Sequence, residues 1–443
     1  MATHDAVSSH SARRRSPLPL YAAEAFNSIA GTLLTVGLPF YMNHRFGWGA
    51  RENFAVAACQ GALYICGALS AKRVSRQWGR EASLPVLCTG MVVVALGVGS
   101  CASMGWALAA ALLAAVETGM MGASWPMLES LLSGAGDPSR LSQRLGYYNI
   151  VWATTGAVAL GASGAVIQYA PAWAFFGIVA AAHLWAGVLV CFGVFPKPLR
   201  TQERASAASS SPPASDCAET VRPAQDQAVA LRHRLALRLS RIALPSTYVV
   251  IYSIAPVLPT LHAIKQLSPA TATLAAGIWL AARAAAFFIT GNTVFWHKRP
   301  GLLLVASISM LAGFLGTILS GTLVSMSLPQ SLLAMAAAQI VLGMSIGTIY
   351  SASLYFGMAL SDGSTEHGGY HEALIGLGQV LGPVVGLSMQ WMHPGGLWPS
   401  VLGISTLVSA TVAIQAVAVI RILGGVAARA KVQRSSAPEA VRR

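Results

Sequence analysis

Three ionisable side chains, Glu24, Glu117 and Arg283, stand inside long apolar runs of this 443-residue chain. A charge at the centre of a membrane-spanning helix costs about 2.5–3.5 kcal/mol on insertion scales, so such a residue usually faces a cavity or a partner. Arg283 could hold an anionic solute. Glu24 or Glu117 could exchange a coupling proton, because burial favours the neutral form of a carboxylic acid. A fixed ion pair that only ties helices together is the competing explanation. Asn27, Trp152, Tyr248, Tyr252, Tyr350 and Gln379 are candidates for the wall of a binding pocket, although an aromatic residue in a span more often packs or anchors at the interface. The residues expected to serve solute binding or proton coupling are therefore Glu24, Asn27, Glu117, Trp152, Tyr252, Arg283 and Gln379. Glu129 and Glu372 fall near the ends of their runs and are expected at the membrane interface. Tyr370, His371 and Glu372 together form either a pH-sensitive gate or a solvated helix cap.

Other chemistries find no support. There is no GxxxxGK[ST] phosphate loop to drive transport with ATP and no HExxH, so the chain is not expected to be an enzyme. The six cysteines form no CxxC pair and no Cys/His ligand cluster, so neither a disulfide frame, a metal site nor a cofactor is expected.

The elements that position these residues follow from composition. Charged residues are 10% of the chain and hydrophobic residues 55%, whereas a soluble globular protein carries roughly 25% charge. The mean hydropathy is +0.59, and lipid must solvate most of the chain. Twelve apolar runs reach the ~20 residues that a helix needs to cross a ~30 Å hydrocarbon layer. They lie at about 18–42, 53–71, 82–104, 106–132, 146–168, 172–195, 242–263, 269–295, 301–324, 330–358, 372–393 and 397–424. With the N-terminus in the cytoplasm, 25 of the 29 lysines and arginines fall inside; outside lie Arg45, Arg51 and Lys265, while Arg283 is within a span. That asymmetry obeys the positive-inside rule and places both termini in the cytoplasm, in a plasma or inner membrane. It also accounts for most of the net charge of +14, so nucleic-acid binding is not required. The first run is too long and too acidic, with Glu24, to be a cleaved signal peptide.

Organisation follows from the same pattern. A cytoplasmic tail over 1–17 precedes a six-helix bundle over 18–195. A polar linker over 196–241, rich in Ser and Pro at 206–213, leads to a second bundle over 242–424 and a tail over 425–443. In the linker, Leu231, Leu235 and Leu239 share one face and Arg234, Arg238 and Arg241 another, which suits a basic helix on an anionic leaflet or a solvated linker helix. The halves match at an offset of 222 residues: Gly146 falls on Gly368, Gly156 on Gly378, Gly164 on Gly386 and Gln168 on Gln390. Gly122 pairs with Gly347 at 225 and Gly67 with Gly291 at 224. Such matches suggest a duplicated bundle. Pro256 and Pro259 predict a broken or bent seventh span.

Twelve spans, cytoplasmic ends and a long central loop resemble the major facilitator superfamily over nearly the full length. Two motifs add to the likeness. Gly378-Gln-Val-Leu-Gly382-Pro383-Val-Val-Gly386 fits that family's GxxxGPxxG pattern, and the loop from Gly67 through Leu69 to Gly79 and Arg80 resembles its G-x-L-x-D-R-x-G-R-R latch without the aspartate. The resemblance implies an all-α fold of two six-helix bundles around a central cavity, opening alternately to either side. It also implies that Gly67, Gly79, Arg80, Gly378, Gly382, Pro383 and Gly386 serve helix packing or gating, and that a Glu117–Arg283 or Glu24–Arg283 pair could bridge the halves. The expected function is a monomeric secondary transporter of a small organic solute, with proton coupling as an option and membrane lipid as its surroundings. A transporter-shaped receptor or scaffold is the alternative.

Overall fold

Runs of Ala, Leu, Val and Gly have one local way to satisfy their backbone groups in an apolar solvent, and that is the helix. In the computed structural model, all regular structure among the described residues is helical. The structure describes residues 18–134, 141–194, 224–293, 295–299, 301–359 and 365–435. Twelve helices are long and apolar enough to cross a membrane: α1 (Leu18–Phe46), α2 (Ala50–Trp78), α3 (Glu81–Ser103), α4 (Ala107–Leu132), α5 (Gln143–Tyr169), α6 (Ala172–Phe192), α7 (Ala236–Thr260), α8 (Pro269–Asn292), α9 (Gly301–Thr322), α10 (Leu328–Gly357), α11 (Gly369–Met392) and α12 (Leu397–Arg421). Short connections make sequential helices antiparallel. Odd-numbered helices therefore begin at one end of the bundle, which carries Lys72, Arg73, Arg76, Arg241 and Arg299 and is called the basic end below.

Several helices outrun the hydropathy pattern. α2 continues through Lys72, Arg73 and Arg76 until Gly79, whose φ of 80° lies in the left-handed region that favours glycine. The helix containing α7 starts at Ala224 and runs unbroken to Val257, so residues 224–241 extend α7 instead of forming a separate surface helix. α12 likewise continues to Ser435, past the boundary expected at 424. Apolar content marks where lipid can solvate a helix, and the backbone ladder does not stop there. The expected break in α7 is present: its α-helical stretch ends at Val257 and gives way to a tight turn over Leu258–Thr260 containing Pro259.

The internal duplication is visible as equivalent packing. Gly156 of α5 lies against Thr32 of α1, while its counterpart Gly378 of α11 lies against Pro245 and Tyr248 of α7. Gly122 of α4 lies against the Tyr64 backbone of α2, and Gly347 of α10 against Arg283 and Ala286 of α8. Gly164 of α5 and Gly386 of α11 both face the other half, on Pro269–Thr273 of α8 and Phe54 of α2 respectively. The α5–α8 and α2–α11 seams that join the halves are thus related to each other. Gly67 and Gly382 do not reach those seams: Gly67 packs on Gly119 of α4, and Gly382 on Val249 and Ser253 of α7. Pro383 sits within α11, and the side chain of Arg80 lies outside the described residues.

Both seams close at both ends. At the basic end a Cβ added to Gly146 would stand 3.0 Å from the Gly291 Cα, and one added to Gly369 would stand 3.2 Å from the Ala68 carbonyl. At the opposite end Gly386 abuts the Phe54 ring, the Ala270 amide donates to Gln168 Oε1 (3.2 Å), and Arg51 lies 5.6 Å over the Trp391 ring. Glycine permits such backbone approach, and dispersion over the closed seam supplies the attraction. The two ends can be separated by substitution. In a variant lacking the native cysteines, Gly146→Leu is expected to prop open the basic end and raise severalfold the reaction rate of a cysteine at the buried Ser353 with a water-soluble maleimide. Gly164→Leu is expected to leave that rate unchanged.

Candidate functional site

Between the halves lies a cavity of about 60 Å³ available to the centres of water molecules. At ~10–15 Å³ for each water it has room for about four to six of them. Its wall takes residues from α1, α2, α4 and α5 on one side and α7, α8, α10 and α11 on the other. Eight of the lining residues are Trp or Tyr: Tyr64, Trp125, Tyr148, Trp152, Tyr248, Tyr252, Trp279 and Tyr350. Of the sequence candidates, Trp152, Tyr252 and Arg283 line it, as do Tyr248 and Tyr350.

Arg283 is the centre of one end of this cavity. Its guanidinium carbon lies 3.9 Å over the Trp152 ring, from the other half, and 5.1 Å from the Trp279 ring. Trp152 in turn stacks on Tyr350 at 5.2 Å and 22°. The position of α8 here depends on a break that the sequence reading did not anticipate. The helix interrupts at Gly277. The side chain of Gln339 from α10 takes the place of one backbone hydrogen bond, accepting from the Trp279 amide (3.2 Å) and donating to the Ala275 carbonyl (2.9 Å). An inserted polar side chain is one of the recognised causes of a helix kink. On the facing side, α1 widens to a π-helical turn over Leu33–Gly37, which carries the cavity residues Thr35 and Val36. π-turns often mark functional positions.

Acids gather toward the basic end. Glu24 Oε1 accepts from Ser28 Oγ (2.7 Å), and Ser28 lines the cavity. The Tyr64 hydroxyl donates to Glu372, joining α2 to α11 across the seam. Glu129, His371 and Glu372 each present an atom within 4.8 Å of the others, and a charge on Glu129 is repelled by both Glu372 and Glu24. His371 Nδ1 contacts Ser353 Oγ at 3.2 Å. Glu129 and Glu372, expected at the interface, are 0% and 3% exposed. His371 is buried with them, so of the expected solvated cap only Tyr370 is exposed. Position near a helix end predicts solvation for an isolated helix, but α4 and α11 bury those ends against each other and α2. The cluster would also offer a cation two carboxylates and an imidazole as ligands.

Three expectations require correction. Glu117 does not approach Arg283: it pairs with His183 of α6 at 3.0 Å, both fully buried inside the first six helices and away from the cavity. Glu24 does not pair with Arg283 either, and among the described residues no carboxylate lies within 4.0 Å of that guanidinium. Asn27 and Gln379 are buried but do not line the cavity; Gln379 fills the α2–α11 seam against Gly61. Because His183 is a lone polar residue in an apolar run, only the fold reveals that it meets Glu117.

Twelve membrane-length helices around a cavity shared by two halves are the architecture of a secondary transporter. A family model described as Major Facilitator Superfamily matches residues 20–369, and the chain belongs to that superfamily, whose members carry small solutes across membranes. The fold is similar to the crystal structure of the nucleoside transporter NupG, with a TM-score of 0.61 and 14% identity over 90% of this chain and 98% of that one. An aspartate-to-alanine variant of NupG gives 0.57 and 14% over 90% and 99%. No curated protein sequence matches the chain.

The Glu117–His183 pair is expected to serve stability and not transport. Glu117→Ala leaves a buried imidazole without its acceptor, at a cost of about 1–3 kcal/mol. Thermal unfolding in detergent should show a lowered midpoint, and His183→Ala combined with it should add less than its own separate effect.

Proposed function

We propose that the protein moves a small organic solute through the central cavity by alternating access, and that the carboxylates of Glu24, Glu129 and Glu372 couple this movement to protons. The observation that carries the reading is the cavity shared by the related halves, which glycine-lined seams flank at both ends. Such seams can separate at one end while the other holds, because each end has its own contacts. The acidic cluster supports coupling. Two carboxylates within 4.8 Å of each other, away from water, are held more cheaply with a shared proton than with two full charges. The cluster spans α4 and α11, so its protonation bears directly on whether the basic end closes. The clustering of lysine and arginine at that end supports a cytoplasmic position for it by the positive-inside rule.

Flux into proteoliposomes tests this. An imposed proton gradient is expected to accelerate uptake or release of a transported solute. Glu372→Gln or Glu129→Gln should remove the response to the gradient while leaving solute exchange at equal pH largely intact, and Glu117→Gln should leave the response in place. If no solute in a broad panel moves with or without a gradient, the protein is a transporter-shaped receptor or scaffold.

A further inference from the structure

We infer that the solute is an organic anion built on a flat ring, an aromatic carboxylate in chemical class, whose charged group is held by Arg283. This rests on the transport reading above and names what the same cavity takes. Arg283 is 5% exposed, and a buried guanidinium ordinarily has a carboxylate beside it. Here it has none within 4.0 Å among the described residues, and it makes no hydrogen bond to a protein acceptor. Trp152 and Trp279 offer it ring faces. Cation–π contact of this kind stabilises a desolvated cation, and it leaves the donors of the guanidinium unused. Arginine presents those donors as a planar fork that matches a carboxylate.

Among the described residues, no acid supplies the missing counter-charge. Glu117 is held by His183, Glu24 by Ser28 and Glu372 by Tyr64. An anion entering from solution would be the partner of this cation, and the Tyr248 and Tyr350 phenols beside it could donate to the same group. The remainder of the solute meets a wall dominated by Trp and Tyr. Ring faces pack favourably against a flat ring at about 4.5–7 Å between centroids. The space available, that of about four to six waters, suits one ring with a short acidic arm.

Isothermal titration of the detergent-purified protein against a matched panel tests the inference. The panel is indole-3-acetate and benzoate, their neutral amides, the aliphatic anion butyrate, the zwitterion tryptophan, and the nucleoside uridine. Ring carboxylates are expected to bind, their amides and butyrate at least tenfold more weakly. Arg283→Gln is expected to weaken ring-carboxylate binding by about thirtyfold or more, as truncation of one partner of a desolvated charge pair does. Arg283→Lys should recover part of it, and Trp152→Phe should weaken it less than Arg283→Gln. Size-exclusion profile and unfolding temperature establish that each variant is folded. If Arg283→Gln does not fold, the amide-to-acid ratio on the unaltered protein decides.

Equal binding of amides or uridine, tighter binding of tryptophan than of the amine-free acids, or no binding of ring carboxylates would overturn the inference. Proteoliposome flux separates the two readings. Movement of a neutral solute that ignores Arg283 keeps transport and removes the anion. Ring-carboxylate binding without flux of any of them keeps the anion site and removes transport.

Discussion

Charge inside a bundle of apolar helices has to be answered by something other than water, and this chain answers it in different ways at different depths. Glu117 is matched by a single imidazole, His183, within one half. Glu24, Glu129 and Glu372 are gathered near the basic end, where hydroxyls of Ser28 and Tyr64 take up part of the load. The Arg283 guanidinium lies over the Trp152 and Trp279 rings, with no carboxylate within 4.0 Å among the described residues. The Glu117–His183 pair ties α4 to α6 within one half. An unmatched cation in a cavity and a cluster of acids at a seam are different, because each changes energy when a ligand or a proton arrives.

Geometry allows those charges to communicate. Trp152 belongs to the first half and Arg283 to the second, so the guanidinium–indole contact lies between the two halves. The Tyr64–Glu372 hydrogen bond joins α2 and α11 in the same way. Irregular backbone sits beside both. The π-helical turn in α1 and the Gln339-clamped break in α8 border the cavity from opposite halves. In an apolar solvent, such irregularity persists only where protein groups repay the lost backbone hydrogen bonds, and Gln339 does so directly.

How much of this was legible in the sequence depended on how local each signal was. Hydropathy located all twelve spans, because solvation by lipid is decided residue by residue. The glycine offsets located equivalent contacts, since Gly156 and Gly378, or Gly122 and Gly347, occupy equivalent seams. Pro256 and Pro259 located the end of the α-helix in α7. Arg283, Trp152 and Tyr252 were recognisable because an ion or a polar ring is conspicuous in an apolar run. Partners were not legible. His183 and Glu117 meet because α4 and α6 both pack on α3, and Glu129 and Glu372 come together from different halves. Position along a span suggested that Glu129 and Glu372 were interfacial, whereas neighbouring helices bury them. The Gly277 break left a trace, a glycine inside a span, but its stabilising amide lies on another helix.

Spin-label distances measured across the two ends of the bundle test the account's central claim most directly. One pair would join Lys72 with Tyr370 at the basic end, and the other Tyr169 with Gln266 at the opposite end. Changes in pH and addition of a transported solute should shift the populations so that one distance lengthens as the other shortens. Two distances that lengthen together, or that ignore both proton and solute, would contradict a cavity shared between halves that open in turn.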